Sequence, residues 1–187
     1  MTVLSNALVG TPRPVDAPPS AGTLNQLRAG VLGANDGIVS VAAILVGVAG
    51  ASSSRSVLVT AGVAGLVAGA LSMASGEYVS VSSQRDAERA ARTPEHEQTN
   101  PWHAAVASLG SFVVGGLVPL LVVLLPWGAA RVPAVVLAVV LALVATGAVS
   151  ARIGNAAVPR AVLRNVLGGG IAMAVTYGVG SLVGLFV

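Results

Sequence analysis

The sequence predicts an all-α integral membrane protein with five transmembrane helices, and three observations carry that reading. Of 187 residues, 55% are hydrophobic and 9% are charged, where a soluble domain carries about 25% charged residues. Apolar runs long enough to cross a bilayer, ~20 residues each, recur five times. All ten basic residues are arginines, lying ahead of, between or near the ends of those runs, as membrane orientation signals do, so the basic balance does not point to a nucleic-acid partner. The chain has no cysteine, which excludes a disulfide framework, a thiolate metal site and a thiol nucleophile. Without a nucleophile–base pair, phosphate loop or HExxH pattern, no enzyme is expected.

The elements follow in order. Residues 1–27 lack the basic start and continuous apolar stretch of a secretory signal. Thr11 to Gly22 is rich in proline and small residues, so 1–22 reads as a disordered tail ahead of a membrane domain over 23–187. The first span runs from about Leu24 to Gly50, with Thr23 or Asn25 as N-cap. A short turn, Ala51 to Arg55, leads to the second, from about Ser56 to Ser82. The linker Ser83–Thr99 opens with QRDAERAAR, a helix-compatible run that extends the second span as a stalk. The third span starts at Asn100-Pro101, a cap and first-turn pair, and stops at Pro126. Trp102 and Trp127 bracket it like two rims of an aromatic belt, and Pro119 inside it predicts a kink or a freed carbonyl. The fourth runs from Pro133 to about Arg152 and the fifth from about Pro159 to Phe186.

Charge sets the orientation. Arg13, Arg28, Arg85, Arg89, Arg92, Arg152, Arg160 and Arg164 fall on one side of a five-span protein, and only Arg55 and Arg131 on the other. The positive-inside rule places the N-terminus in the cytosol and the C-terminus outside it.

Two spans carry acids: Asp36 in the first and Glu77 in the second. Such a residue costs ~2.5–3.5 kcal/mol on insertion scales and marks function. With the two helices antiparallel, Asp36 lies ~12 Å along the axis from Arg28, and Met73 ~13 Å from Ser82. Glu77 is ~7 Å in, one turn nearer the cytosol and on the same face as Met73. The arrangement is an entry carboxylate above a deeper carboxylate–thioether pair. Oxygen alone suits Mg²⁺ or Ca²⁺, whereas a thioether adds preference for softer cations, Fe²⁺ first and then Mn²⁺, Co²⁺ or Zn²⁺. A carboxylate that must lose H⁺ to bind a cation is the minimal coupling element of an antiporter. The alternatives are a structural Asp36 satisfied by Ser40, Asn35 or a backbone amide, and a Met73 that only packs. In the linker, Glu95, His96 and Glu97 are either a weak metal-capture site or a solvated loop, and His103, one residue past Trp102, is either functional or just interfacial.

Three glycine pairs, Gly33/Gly37, Gly65/Gly69 and Gly180/Gly184, have the four-residue spacing that lets helices approach closely, within one protomer or across a dimer. Five spans cannot split into two equal repeats of the kind many transporters use, and a C₂ dimer is the commonest closed oligomer. A homodimer with Asp36, Met73 and Glu77 doubled about its axis is the expected assembly.

The runs LRAGVLGANDGIVS (Leu27–Ser40), AGLVAGALSMASGEYVSVSSQRD (Ala64–Asp86), NPW (Asn100–Trp102) and GGGIAMAVTYGVGSLVG (Gly168–Gly184) resemble the vacuolar iron transporter family. The resemblance covers about residues 24–187 and implies a five-span homodimer that moves Fe²⁺, often Mn²⁺, out of the cytosol in exchange for protons. It also implies that Asp36 and Met73 line the pathway at the dimer interface, while Glu77 matches a glutamate of bacterial and nodulin-like members. Full-length members differ in carrying a glutamate-rich domain between the second and third spans, and plant vacuolar members have a glutamate where this chain has Gly65. The expected partners are the bilayer, divalent metal ions and a second copy of the chain. The metal is cargo with H⁺ as coupling ion, no resident cofactor is expected, and the expected location is a bacterial plasma membrane. The competing expectation is a non-transporting membrane scaffold or accessory subunit that binds metal without moving it.

Overall fold

The structure, a computed structural model, describes residues 21–186. Five helices long and apolar enough to cross a membrane make up nearly all of it: α1 (Ala21–Ala51), α2 (Arg55–Ala90), α3 (Pro101–Leu124), α4 (Arg131–Ile153) and α5 (Val158–Val183). Single 3₁₀ turns, Glu95–Glu97 and Gly128–Ala130, sit in the α2–α3 and α3–α4 connections. The expected tail lies outside the described residues except for its last two, which are already helical.

Local chemistry explains most of the boundaries. Asn100 caps α3 as expected, its side chain accepting the backbone N–H groups of Trp102 (3.0 Å) and His103 (3.4 Å), with Pro101 in the first turn. The helix passes through Pro119 without interruption and ends at Leu124, short of Pro126. A proline pushes the residue before it out of the helical region, and Leu125 is extended (φ −76°, ψ 155°). The stalk forms: α2 continues beyond Ser82 to Ala90, with Gln84 Nε2 donating to Glu88 Oε1 across one turn (2.9 Å). Glu88 also accepts the backbone N–H of Thr99 (2.8 Å) and its hydroxyl (3.1 Å), pinning the foot of the stalk to the start of α3.

The N-cap expected at Thr23 or Asn25 is not formed. The helix is already running at Ala21, and both residues lie inside it. Between Pro19 and the apolar run stand Ala21, Leu24, Gln26, Leu27 and Arg28, all good helix formers, and nothing there stops the helix at Thr23. The Asn25 side chain accepts from the Arg28 guanidinium instead (3.1 Å).

α1 is the most enclosed helix and α5 the least. α1 packs most extensively on α3, then on α5, and more lightly on α2 and α4. Val41, Ala42 and Leu45 of α1 meet Phe112, Val139 and Leu143 in the main core. The outward faces display Val67, Leu71, Leu137, Leu141, Ile171 and Val175, each more than half exposed, as lipid-facing surfaces must. The two arginines of the sparse end are anchored there: Arg55 donates to the Leu124 carbonyl, and Arg131 Nη1 to the Ser53 carbonyl (3.1 Å). Both satisfy carbonyls at or just past helix C-termini, which the helices themselves leave open.

Each of the three glycine pairs meets neighbouring helices of the same chain. A Cβ on Gly33 would strike the Ser108 carbonyl, and one on Gly37 the Phe112 carbonyl. On α5, Gly180 faces the Gly47 carbonyl and Gly184 faces Ala51. On α2, Gly65 and Gly69 face the Ile44 side chain and the Phe112 ring.

Candidate functional site

The weak packing of α2 on α1 leaves a groove between them, roofed by neither α4 nor α5. Its volume is about 530 Å³. Asp36 and Ser40 line it from α1, and Met73 and Glu77 from α2. Glycine and alanine make the α2 wall thin: Gly65, Ala68, Gly69 and Gly76 all face the groove. Phe112 reaches in from α3 and is 1% exposed. Its backbone sits against Gly37 and its ring against Gly69, so it acts as the spacer that keeps α2 away from α1.

Asp36, Met73 and Glu77 therefore share one cavity. The Asp36 carboxylate accepts a hydrogen bond at Oδ1 from the Ser40 hydroxyl (3.0 Å), and among the described residues nothing bonds Oδ2. Glu77 is 6% exposed and pairs through Oε2 with Arg28 Nη2 at 3.2 Å, and its Oε1 likewise takes no bond. Each acid thus has one oxygen engaged and one available to a cation. Met73 is half-buried and also packs against the core. Among the described residues, no three His, Cys, Asp or Glu side chains gather into a ready-made cation cage. The chain supplies two carboxylates and a thioether along one groove.

The linker residues stand apart. Glu95, His96 and Glu97 form an exposed 3₁₀ turn in which His96 Nε2 is 3.6 Å from Glu97 Oε1, and none of them lines the groove. His103 is exposed. Trp102 contacts the ring of Tyr78 (centroids 4.8 Å apart, planes at 57°), joining α2 and α3 at the arginine-rich end.

The sequence comparison bears on the same residues. The profile of the VIT family matches residues 27–99 and 92–181, a stretch that enters every helix and contains the whole groove. The chain belongs to the VIT family. A relative from Oryza sativa subsp. japonica named vacuolar iron transporter homolog 1 is 49% identical over 173 residues, covering 85% of this chain and 74% of the relative. The Arabidopsis thaliana protein named vacuolar iron transporter homolog 3 is 45% identical over 166 residues, with 84% and 83% covered. The family resemblance drawn from the ANDG and SMxxGEY motifs is thereby established over most of the chain.

Of three further residues at or beside this VIT-family groove, one was read from the sequence and two were not. Ser40 was legible, since it lies four residues after Asp36 and so on the same helix face. Arg28 was noticed only as an orientation charge, because its partner is 49 residues away. Phe112 carries no local signal at all: an aromatic in an apolar span looks the same whether it faces lipid, core or groove.

Proposed function

We propose that the protein is a divalent-metal transporter that moves Fe²⁺ and/or Mn²⁺ out of the cytosol through the α1–α2 groove, in exchange for H⁺. The observation that carries the reading is the convergence of Asp36, Met73 and Glu77 on one groove between two helices long and apolar enough to span a membrane. Acids there are costly and mark function by default, and a thioether beside two carboxylates favours Fe²⁺ over purely hard cations while the carboxylates also accommodate Mn²⁺. The relatives' names, vacuolar iron transporter homologs, support iron as the cargo. On this reading the arginine-rich end faces the cytosol, of a bacterial plasma membrane, and Glu77 meets metal before Asp36 and Met73 do. A second copy about a two-fold axis faces its groove to the first and completes the coordination that one protomer lacks. Exchange follows from Asp36, which holds either a proton or the metal.

The test is metal flux into proteoliposomes carrying a metal-sensitive dye and a pH dye. Wild-type protein should move Fe²⁺ or Mn²⁺ with counter-movement of H⁺, and Asp36→Ala and Met73→Ala should fall to the level of empty liposomes while remaining folded. Full flux in both variants removes the proposed site.

One observation favours a second reading. Asp36 and Glu77 each already have a partner within the protomer, Ser40 and Arg28, as acids in a purely structural role would. A scaffold that binds metal without moving it gives no dye signal above empty vesicles while still retaining metal on a column.

A further inference from the structure

Among the described residues, the Arg28–Glu77 pair is the only ion pair that joins two helices, the others lying within one turn of α2 or between neighbours in the linker. Its two ends are unequal. Glu77 is 6% exposed, whereas the Arg28 side chain is 54% exposed. The guanidinium is also held from the outer side by Asn25 Oδ1, 3.1 Å from Nη2 and 3.4 Å from Nε. Arg28 can leave Glu77 toward water while still bonded to Asn25, with little loss of solvation. Glu77 has no such freedom, because a buried carboxylate stripped of its partner is strongly destabilised. It needs a neutralising partner, and Arg28 beside the groove or a divalent cation within it can each be one.

We propose that Arg28 is a tethered counter-cation for Glu77, resident on the carboxylate when the groove is empty and displaced outward by an entering divalent cation. The proposal rests on the groove being the metal pathway and adds what sets its affinity. A guanidinium and a divalent cation on the two oxygens of one carboxylate repel strongly where water is sparse, so the two occupants alternate. Arg28 thereby weakens cargo binding at the entrance, which favours onward movement over trapping. It also keeps Glu77 neutralised after the cargo has left.

The experiment is Mn²⁺ binding to the purified full-length protein in detergent, followed by the electron paramagnetic resonance signal of free Mn²⁺. Arg28→Gln should bind Mn²⁺ about tenfold more tightly than wild type, the scale of one charge-assisted contact. The gain should vanish when Arg28→Gln is made in a Glu77→Gln background. Arg164→Gln, which removes the same charge from the same end with no ion pair to break among the described residues, should change affinity by less than about twofold. A purely structural pair predicts the opposite sign, since loosening the helices weakens the site. Unchanged or weaker binding by Arg28→Gln overturns the proposal, as does an equal gain in the Glu77→Gln background or from Arg164→Gln. If Asp36→Asn weakens binding while Arg28→Gln leaves it unchanged, the counter-cation falls and the groove reading stands. If neither wild type nor Arg28→Gln binds Mn²⁺, both fall. Should Arg28→Gln not fold, Arg28→Lys carries the test, with a smaller gain because lysine lacks the fixed fork.

Discussion

The contacts of α1 with α3 and α5 differ in kind from the contacts made by α2. Gly33, Gly37, Gly50, Gly115 and Gly180 bring backbone against backbone, and a Cβ at each would meet a carbonyl or amide of the facing helix. The glycines of α2 meet something softer. Gly62 faces the Leu45 and Leu120 side chains, Gly65 faces Ile44, Gly69 faces the Phe112 ring, and Gly76 faces open space. Backbone contacts cannot slide without losing their fit, whereas side chains change rotamer. The α1–α3–α5 wall is thus built as the rigid part. α2, held by the Arg28–Glu77 pair, the Tyr78–Trp102 rings and the Glu88–Thr99 bonds, is built as the part able to shift beside the groove.

Substitutions can break or sharpen that contrast. Phe112 stands at the seam, and Phe112→Ala removes both the core contact with α1 and the spacer under α2. It should cost ~3–5 kcal/mol, the range for buried aromatic truncations, read as a fall in the unfolding midpoint in detergent. Next come Gly37→Ala and Gly180→Ala, which force a methyl into a facing carbonyl and should each cost ~1–3 kcal/mol as overpacking does. Gly76→Ala, on the groove face with nothing to strike, should change stability by less than ~1 kcal/mol, with the helix propensity of alanine acting in its favour. Equal losses from Gly76→Ala and Gly37→Ala would erase the distinction between the two regions. Tyr78→Leu removes the ring contact that ties α2 to α3 and should cost ~0.5–1.5 kcal/mol, while raising amide exchange in α2 more than in α5.

The smallest effect concerns pH. The Thr99 N–H, with Gln84, the Thr99 hydroxyl and Arg85 adding and burial opposing, holds the Glu88 carboxyl below its ordinary 4.5. A lowered folded-state value means that this pin contributes stability fully above the ordinary value and loses it as pH falls through the folded one. The stalk–α3 junction should therefore loosen only below about pH 4.5, seen as faster exchange at Thr99, and Glu88→Gln should flatten that response.

Much of the site could be read from order along the chain. Asp36 and Ser40 share a face because they are four apart, as Met73 and Glu77 do, and antiparallel spans of known rise put the two pairs at similar depth. The same reasoning failed wherever the answer lay across helices. The GxxxG spacing of Gly33/Gly37 and Gly65/Gly69 is identical, yet one pair meets backbone and the other meets side chains beside a cavity. Arg28, treated as one of eight like charges, is the partner of a buried acid on another helix.

What the sequence determined by itself was the number, length and order of the spans, together with the cap at Asn100 and the polar stalk. These follow from transfer free energies and hydrogen bonds that involve only neighbours in the chain, so they add along a run of residues. The tertiary structure alone decided which glycines touch backbone, that Phe112 props the groove open, and that Arg28 reaches Glu77. Each of those depends on how two helices are rotated against one another, and residues distant in sequence settle that jointly.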